Sequence, residues 1–327
     1  LQTKKHFRHV PDAFEYRIHS GDQWGGMDMN LWARCDFTVP DLAAGRQLYA
    51  ISQIGGREEL FFVNGKASGI YTWKNQAVAA EHSARLICSD AVPGENYELA
   101  FECLDRIRLS GINGFDVSSQ EETPDDEADV QPGQTFGGVR ICALNEDIKG
   151  FCFDMRELIL IAEELPEHSF INAKARRVLD EISRRLILCP QAHTHEEMIS
   201  SVRECLSLTR PFFQGQNRRI FGHVGLIGHS HLDTAWLWPI NETVRKCART
   251  ISGVLDLMDS YPEYTFMMSS ALHAEWMRDE YPEIFAGMRA RAREGRFEFN
   301  GGVYVECDCN IPSGEMMIRQ FILGQRF

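Results

Sequence analysis

The chain has 327 residues, enough for two domains with cores of their own, and its 44% hydrophobic and 25% charged residues are ordinary for a globular protein. A formal net charge of −13 argues against nucleic acid and anionic membrane surfaces as partners. No apolar run approaches the ~18 residues of a membrane span, and Leu1-Gln2-Thr3-Lys4-Lys5-His6 lacks a signal-peptide core, so a cytoplasmic protein is expected.

Residues 1–153 are strand-rich and predict a β-sandwich. Leu31–Val39 and Tyr97–Cys103 alternate as half-buried strands do, and Glu59–Lys66 carries Asn64-Gly65, the dipeptide that supplies the positive φ angles of a tight hairpin. Trp24, Trp32, Tyr71 and Trp73 have strand spacing that favours a core over a sugar-binding face. The acidic stretch Glu121–Asp129 lacks the D-x-D-x-D-G pattern of a calcium loop and is expected as a solvated loop.

Residues 154–218 change to helical spacing, in Asp154–Ala162 and Ala173–Ile182, with breaks at Pro166 and Pro190, and predict a helical linker. Thr194 is the expected N-cap of a further helix there. The ten cysteines are scattered along the chain without a C-x-x-C pair, as expected of reduced thiols in an intracellular protein.

Residues 219–327 alternate strand and helix. A buried strand over His223–Gly228 is followed by a helix over Asn241–Ser260, a strand near Thr265–Ser270, helices over His273–Arg293, a strand over Arg296–Glu306 and a helix capped by Ser313. That order implies a parallel sheet, so the fold class is α+β multidomain, ending in the start of a barrel-like parallel α/β domain. The first strand runs into Gly228-His229-Ser230-His231-Leu232-Asp233-Thr234-Ala235-Trp236-Leu237-Trp238. In an extended segment His229, His231 and Asp233 share one face, and imidazole and carboxylate suit zinc and similar ions. In Gly301–Glu315, Glu306 and Asp308 likewise fall on one face, with Cys307 and Cys309 pointing away.

Together "GHSHLDTAWLW", "ETVRKCART", "FEFNGGVYVECDCNIPSGE" and "RQFILGQRF" resemble the family 38 glycoside hydrolases, the retaining α-mannosidases. The resemblance implies that His231, Asp233 and Asp308 bind one divalent ion of the zinc type. It implies that Asp308 is also the catalytic nucleophile and that Trp236 lies against the sugar. A mannose-containing oligosaccharide is the implied substrate. The family's fourth ligand, a histidine, and its acid/base aspartate are expected downstream of Phe327. The family often has glutamines where this chain has Phe266–Trp276. The residues alone leave two other readings open: a different zinc-dependent hydrolase of the amidohydrolase kind, and a carbohydrate-binding piece without turnover. They also leave a homo-oligomer open.

Overall fold

A computed structural model describes residues 1–3, 6–7, 9–26, 29–72, 84–105, 133–216, 224–236 and 238–327. Trp73, His223 and the acidic stretch 121–129 lie outside these residues. The chain forms two compact units, Leu1–Ala143 with Leu226–Phe327, and Leu144–Gly225.

The first unit is mixed α/β. Its strands are β1 (Gln2–Thr3), β2 (Gln23–Trp24), β3 (Asn30–Thr38), β4 (Leu48–Ser52), β5 (Glu58–Val63), β6 (Lys66–Thr72), β7 (Ala84–Cys88), β8 (Asn96–Leu104), β9 (Gln134–Thr135) and β10 (Val139–Ala143). An antiparallel sheet of order β1-β3-β8-β5-β6 and another of order β10-β4-β7 meet across one apolar core. Leu31, Phe61, Tyr71, Leu99 and Phe101 enter it from the larger sheet, and Leu48, Ala50 and Ile87 from the smaller. Trp24, Trp32 and Tyr71 are all buried, which makes them core residues rather than an open sugar face. Asn64 and Gly65 turn the β5–β6 hairpin at φ 50° and 76°, as their sequence predicts.

Because strand side chains alternate, the larger sheet has a second face. Trp32, Leu60, Phe62 and Ala100 pack there against α4 (Ile240–Ser260), through Val244, Cys247, Ala248 and Ile251. Beyond α4 lie β11 (Gly228–His229), β12 (Phe266–Ser270), α5 (Ala271–Glu280), α6 (Pro282–Arg293), β13 (Phe297–Val303) and α7 (Gly314–Arg326). Strands β11, β12 and β13 form a parallel three-stranded sheet in chain order. Parallel strands joined by helices are the outcome that the alternating pattern predicts.

Two expected strands of this segment are shorter than predicted. The first keeps only Gly228–His229, and Val224, Leu226 and Ile227 are exposed instead of buried. Among the described residues that segment pairs with a single strand, β12, through two residues. The last strand ends at Val303 instead of Glu306; within it Gly301 and Gly302 adopt φ 80° and 67°, where its register with β12 shifts.

The second unit consists of α1 (Glu146–Glu164), α2 (Phe170–Arg185) and α3 (His195–Gln216) around Phe151, Leu158, Ala175, Ile182, Cys205 and Leu206. Helix α1 begins before the expected position 154, since Asn145 accepts the N–H groups of Asp147 and Ile148, both at 3.1 Å. Thr194 caps α3 in a reciprocal box with Glu197: its hydroxyl accepts the Glu197 N–H at 3.2 Å, and the Glu197 carboxylate accepts the Thr194 N–H at 2.8 Å. All ten cysteines are free. No helix among the described residues is long and apolar enough to cross a membrane.

Glu59 gives the two-sheet layer a pH dependence. It is fully buried, and burial pushes its carboxyl up to about 7 against hydrogen bonds from Ser52 and the Gly56 N–H. The folded value lies above the ordinary 4.5. Stabilisation by the neutral carboxyl is therefore complete below that value and is lost as pH rises through about 7. Glu59→Gln, which stays neutral, is expected to remove up to roughly 3 kcal/mol of the stability lost between pH 5 and pH 8. Urea midpoints at both pH values check this; equal losses in the two proteins would count against it.

Candidate active site

The polar groups of interest gather just past the carboxyl ends of β11, β12 and β13, where open parallel sheets usually hold ligands. His231 follows β11, Ser269 and Ser270 close β12, and Glu306 lies three residues beyond β13. The His231 imidazole stands between two carboxylates. Its Nε2 is 3.1 Å from Asp233 Oδ1 and its Nδ1 is 2.5 Å from Glu306 Oε2. The hydrogen bond to Asp233, with the one to Glu306 behind it, holds the imidazole above its usual range. Burial alone would push Glu306 up, but hydrogen bonds from Ser269 and His231 hold it below the usual carboxylate range.

The loop after His231 is pinned at its middle, at Thr234 and Ala235. Ala235 adopts φ 58°, a conformation that costs an L-residue ~1–2 kcal/mol, and its N–H donates to Thr243 Oγ1 of α4 at 3.0 Å. Thr234 Oγ1 meets His273 Nε2 at 2.9 Å. His273 is buried and stacked on Trp276, and burial brings its pKa down to about 4, so it is a neutral imidazole at physiological pH. Trp236, three residues after Asp233, is 60% exposed and meets Trp238 edge-on at 5.4 Å.

Of the residues singled out from sequence, the structure brings His231 and Asp233 together and sets Trp236 on the same loop. Asp308 sits in the turn after β13, where its Oδ1 accepts the Asn310 N–H at 2.8 Å. Shared strand alternation is not what orders these residues, since neither His231–Asp233 nor Glu306–Asp308 lies in a strand. Among the described residues no three His, Cys, Asp and Glu side chains are grouped to hold a metal. The donor chemistry nevertheless fits a zinc-type ion. Two ligands at ~2.0–2.2 Å from a tetrahedral ion stand about 3.3–3.6 Å apart; the His231–Asp233 edge, at 3.1 Å, is somewhat shorter and would subtend about 95–100° at such an ion. Glu306, Ser269 and His273 complete the surroundings. Sequence alone marks Glu306 only as a carboxylate near Asp308 and passes over the other two, although Ser269 sits at the carboxyl end of a predicted parallel strand.

The site thus combines histidine and carboxylate donors with an exposed aromatic surface on one loop. Residues 222–327 match the Glycosyl hydrolases family 38 N-terminal domain. The chain is 29% identical over 315 residues to the mouse (Mus musculus) and the human (Homo sapiens) alpha-mannosidase 2C1, in each case over 94% of its own length and 28% of the relative's. It is 36% identical over 194 residues to a Saccharomyces cerevisiae alpha-mannosidase, over 55% of this chain and 17% of that protein. The last third of the chain is thus similar to the family 38 N-terminal domain, and the chain as a whole to alpha-mannosidases, of whose 2C1 members it spans a little over a quarter of the length.

Proposed function

We propose that this chain is part of a retaining α-mannosidase that removes terminal α-linked mannose from oligosaccharides in the cytoplasm. The observation that carries the reading is the His231–Asp233 pair with exposed Trp236 at the carboxyl end of β11, inside a segment similar to the family's N-terminal domain. The parallel order of β11, β12 and β13 supports residues 219–327 as the opening βα units of a barrel-like catalytic domain.

In this reading His231, Asp233 and Asp308 hold one divalent ion of the zinc type, which supplies positive charge beside the carboxylates and a grip on sugar hydroxyls. Trp236 offers its indole face to the pyranose C–H groups. The Asp308 carboxylate attacks the anomeric carbon as the glycosidic C–O bond breaks, and an ester forms. A second carboxyl group, outside the residues assigned here, protonates the leaving oxygen. It then takes a proton from the water that cleaves the ester.

The test is hydrolysis of an aryl α-mannoside by the protein before chelation, after it, and after the metal is restored. Turnover that vanishes with the chelator and returns with Zn²⁺ or Co²⁺ is expected. A protein that binds one ion tightly and leaves every α-mannoside intact would sink the proposal.

A further inference from the structure

Glu306 lies two positions before the proposed nucleophile, and the reading above gives it no task. We infer that Glu306 is the positioning residue for His231. Its carboxylate accepts a hydrogen bond from Nδ1–H, which leaves the lone pair on Nε2 and turns that nitrogen toward Asp233 and a bound ion. The inference rests on the metal reading of the site.

The two edges of the imidazole differ in a way that assigns their roles. An ion at ~2.0–2.1 Å from nitrogen and ~2.0–2.2 Å from oxygen would need an angle of about 75° to fit the 2.5 Å Nδ1–Glu306 edge, too acute for tetrahedral coordination. A proton fits there instead. The 3.1 Å Nε2–Asp233 edge accepts an ion. Burial runs the same way: Glu306 is 31% exposed and Asp233 45%, so the ion-binding side is the open one.

Glu306 is also held as a positioning group has to be. Its Oε1 accepts from the Ser269 hydroxyl and its Oε2 faces His231, so both oxygens are engaged. Its own N–H donates to Ser270 Oγ at 3.3 Å. The backbone before it is tied by Val305 N–H to Gln320 Oε1 at 2.8 Å, by Tyr304 N–H to the Gln320 carbonyl at 3.0 Å, and by Leu272 N–H to the Tyr304 carbonyl at 2.9 Å. The carboxylate is therefore fixed by β12, α5 and α7. A histidine ligand whose second nitrogen donates to a fixed carboxylate binds metal more tightly, because its tautomer and ring angle are set beforehand.

The test is Co²⁺ binding by the full chain, measured by chelator competition and by the visible absorption of the bound ion. Wild type is expected to bind one Co²⁺, Glu306→Gln about tenfold more weakly, and Glu306→Ala up to about a hundredfold more weakly. Ser269→Ala, which leaves the carboxylate in place, is expected to fall between wild type and Glu306→Gln, and it serves should Glu306→Ala not fold. At saturation the Glu306→Gln absorption keeps the wild-type band positions, since the ligands are unchanged. Wild-type affinity in Glu306→Gln overturns the positioning role while leaving the metal reading intact. Shifted bands at saturation overturn it too, by making Glu306 a ligand. A wild-type chain that binds no Co²⁺ overturns the metal reading and this inference together.

Discussion

Asp308→Ala is expected to lower kcat/KM for an aryl α-mannoside by about 10⁴- to 10⁶-fold, the scale seen when a covalent nucleophile is removed. Without that carboxylate no glycosyl ester forms, and only the rest of the site assists direct attack by water. Glu306 is the other carboxylate of the same turn and has to be set apart from it. Both Glu306 oxygens are engaged, with Ser269 and His231, whereas Asp308 makes a local bond to the Asn310 N–H that an approaching sugar can replace. A graded loss in Glu306→Gln beside near-complete loss in Asp308→Ala is therefore the expected pattern. Azide added to Asp308→Ala should restore part of the turnover and give a mannosyl azide of inverted configuration. Attack then comes from the face vacated by the carboxylate, and no ester forms. Undiminished turnover in Asp308→Ala would move the nucleophile elsewhere, and full loss in Glu306→Gln with an intact fold would point to Glu306.

The parts of this chain legible from sequence are those whose signal is local. Thr194, Ser313 and the Asn64-Gly65 turn each fix a boundary through neighbouring backbone groups, and each is found where its chemistry predicts. The helix α4 and the parallel order of three strands follow from periodicity in the same way. The candidate site was legible in its residue types but not in its geometry. His231 and Asp233 were placed on one face by strand alternation, yet they meet through a loop that Ala235 holds at positive φ. Glycines 301 and 302 distort the last strand near its end, an irregularity that depends on how the chain turns rather than on its apolar pattern. The contacts of His273 with Thr234 and of Glu306 with Ser269 join residues 37 or more positions apart, and no local signal encodes them. The same holds for the charges of "ETVRKCART". Glu242, Arg245 and Arg249 are buried in the fold.

Those buried charges carry the second large effect: Arg249→Met is expected to destabilise the first unit by about 3–5 kcal/mol, the cost of leaving buried carboxylates without their cation. Arg249 Nε donates to Glu58 Oε2 at 2.9 Å, and its terminal nitrogen donates to Glu242 Oε1. Arg245 pairs with Glu102 and Glu242, each at 3.2 Å, and Lys246 reaches Glu58 at 3.0 Å. Glu58 and Glu102 come from the larger sheet and the other four residues from α4, so the cluster fixes the angle at which α4 crosses that sheet. Burial pushes the Glu102 carboxyl up to about 7 against the pull of Arg245 and Arg249; with Arg249 gone, less opposes the rise and a proton is the cheapest remedy. The lost stability should therefore be partly regained at pH 5. Joint replacement, Arg245→Met with Glu102→Met, should cost far less than Arg245→Met alone, since an apolar pair of similar volume leaves no charge stranded. Helix α4 also carries Thr243, which holds the Ala235 N–H, so a shifted α4 moves the His231–Trp236 loop. Weaker Co²⁺ binding is accordingly expected in Arg249→Met, although the substituted side chain touches neither His231 nor Asp233. Urea midpoints at pH 5 and pH 8, read together with Co²⁺ affinity, decide it. A change under about 1 kcal/mol with wild-type metal affinity would mean that apolar packing of Val244, Cys247, Ala248 and Ile251 alone sets the helix.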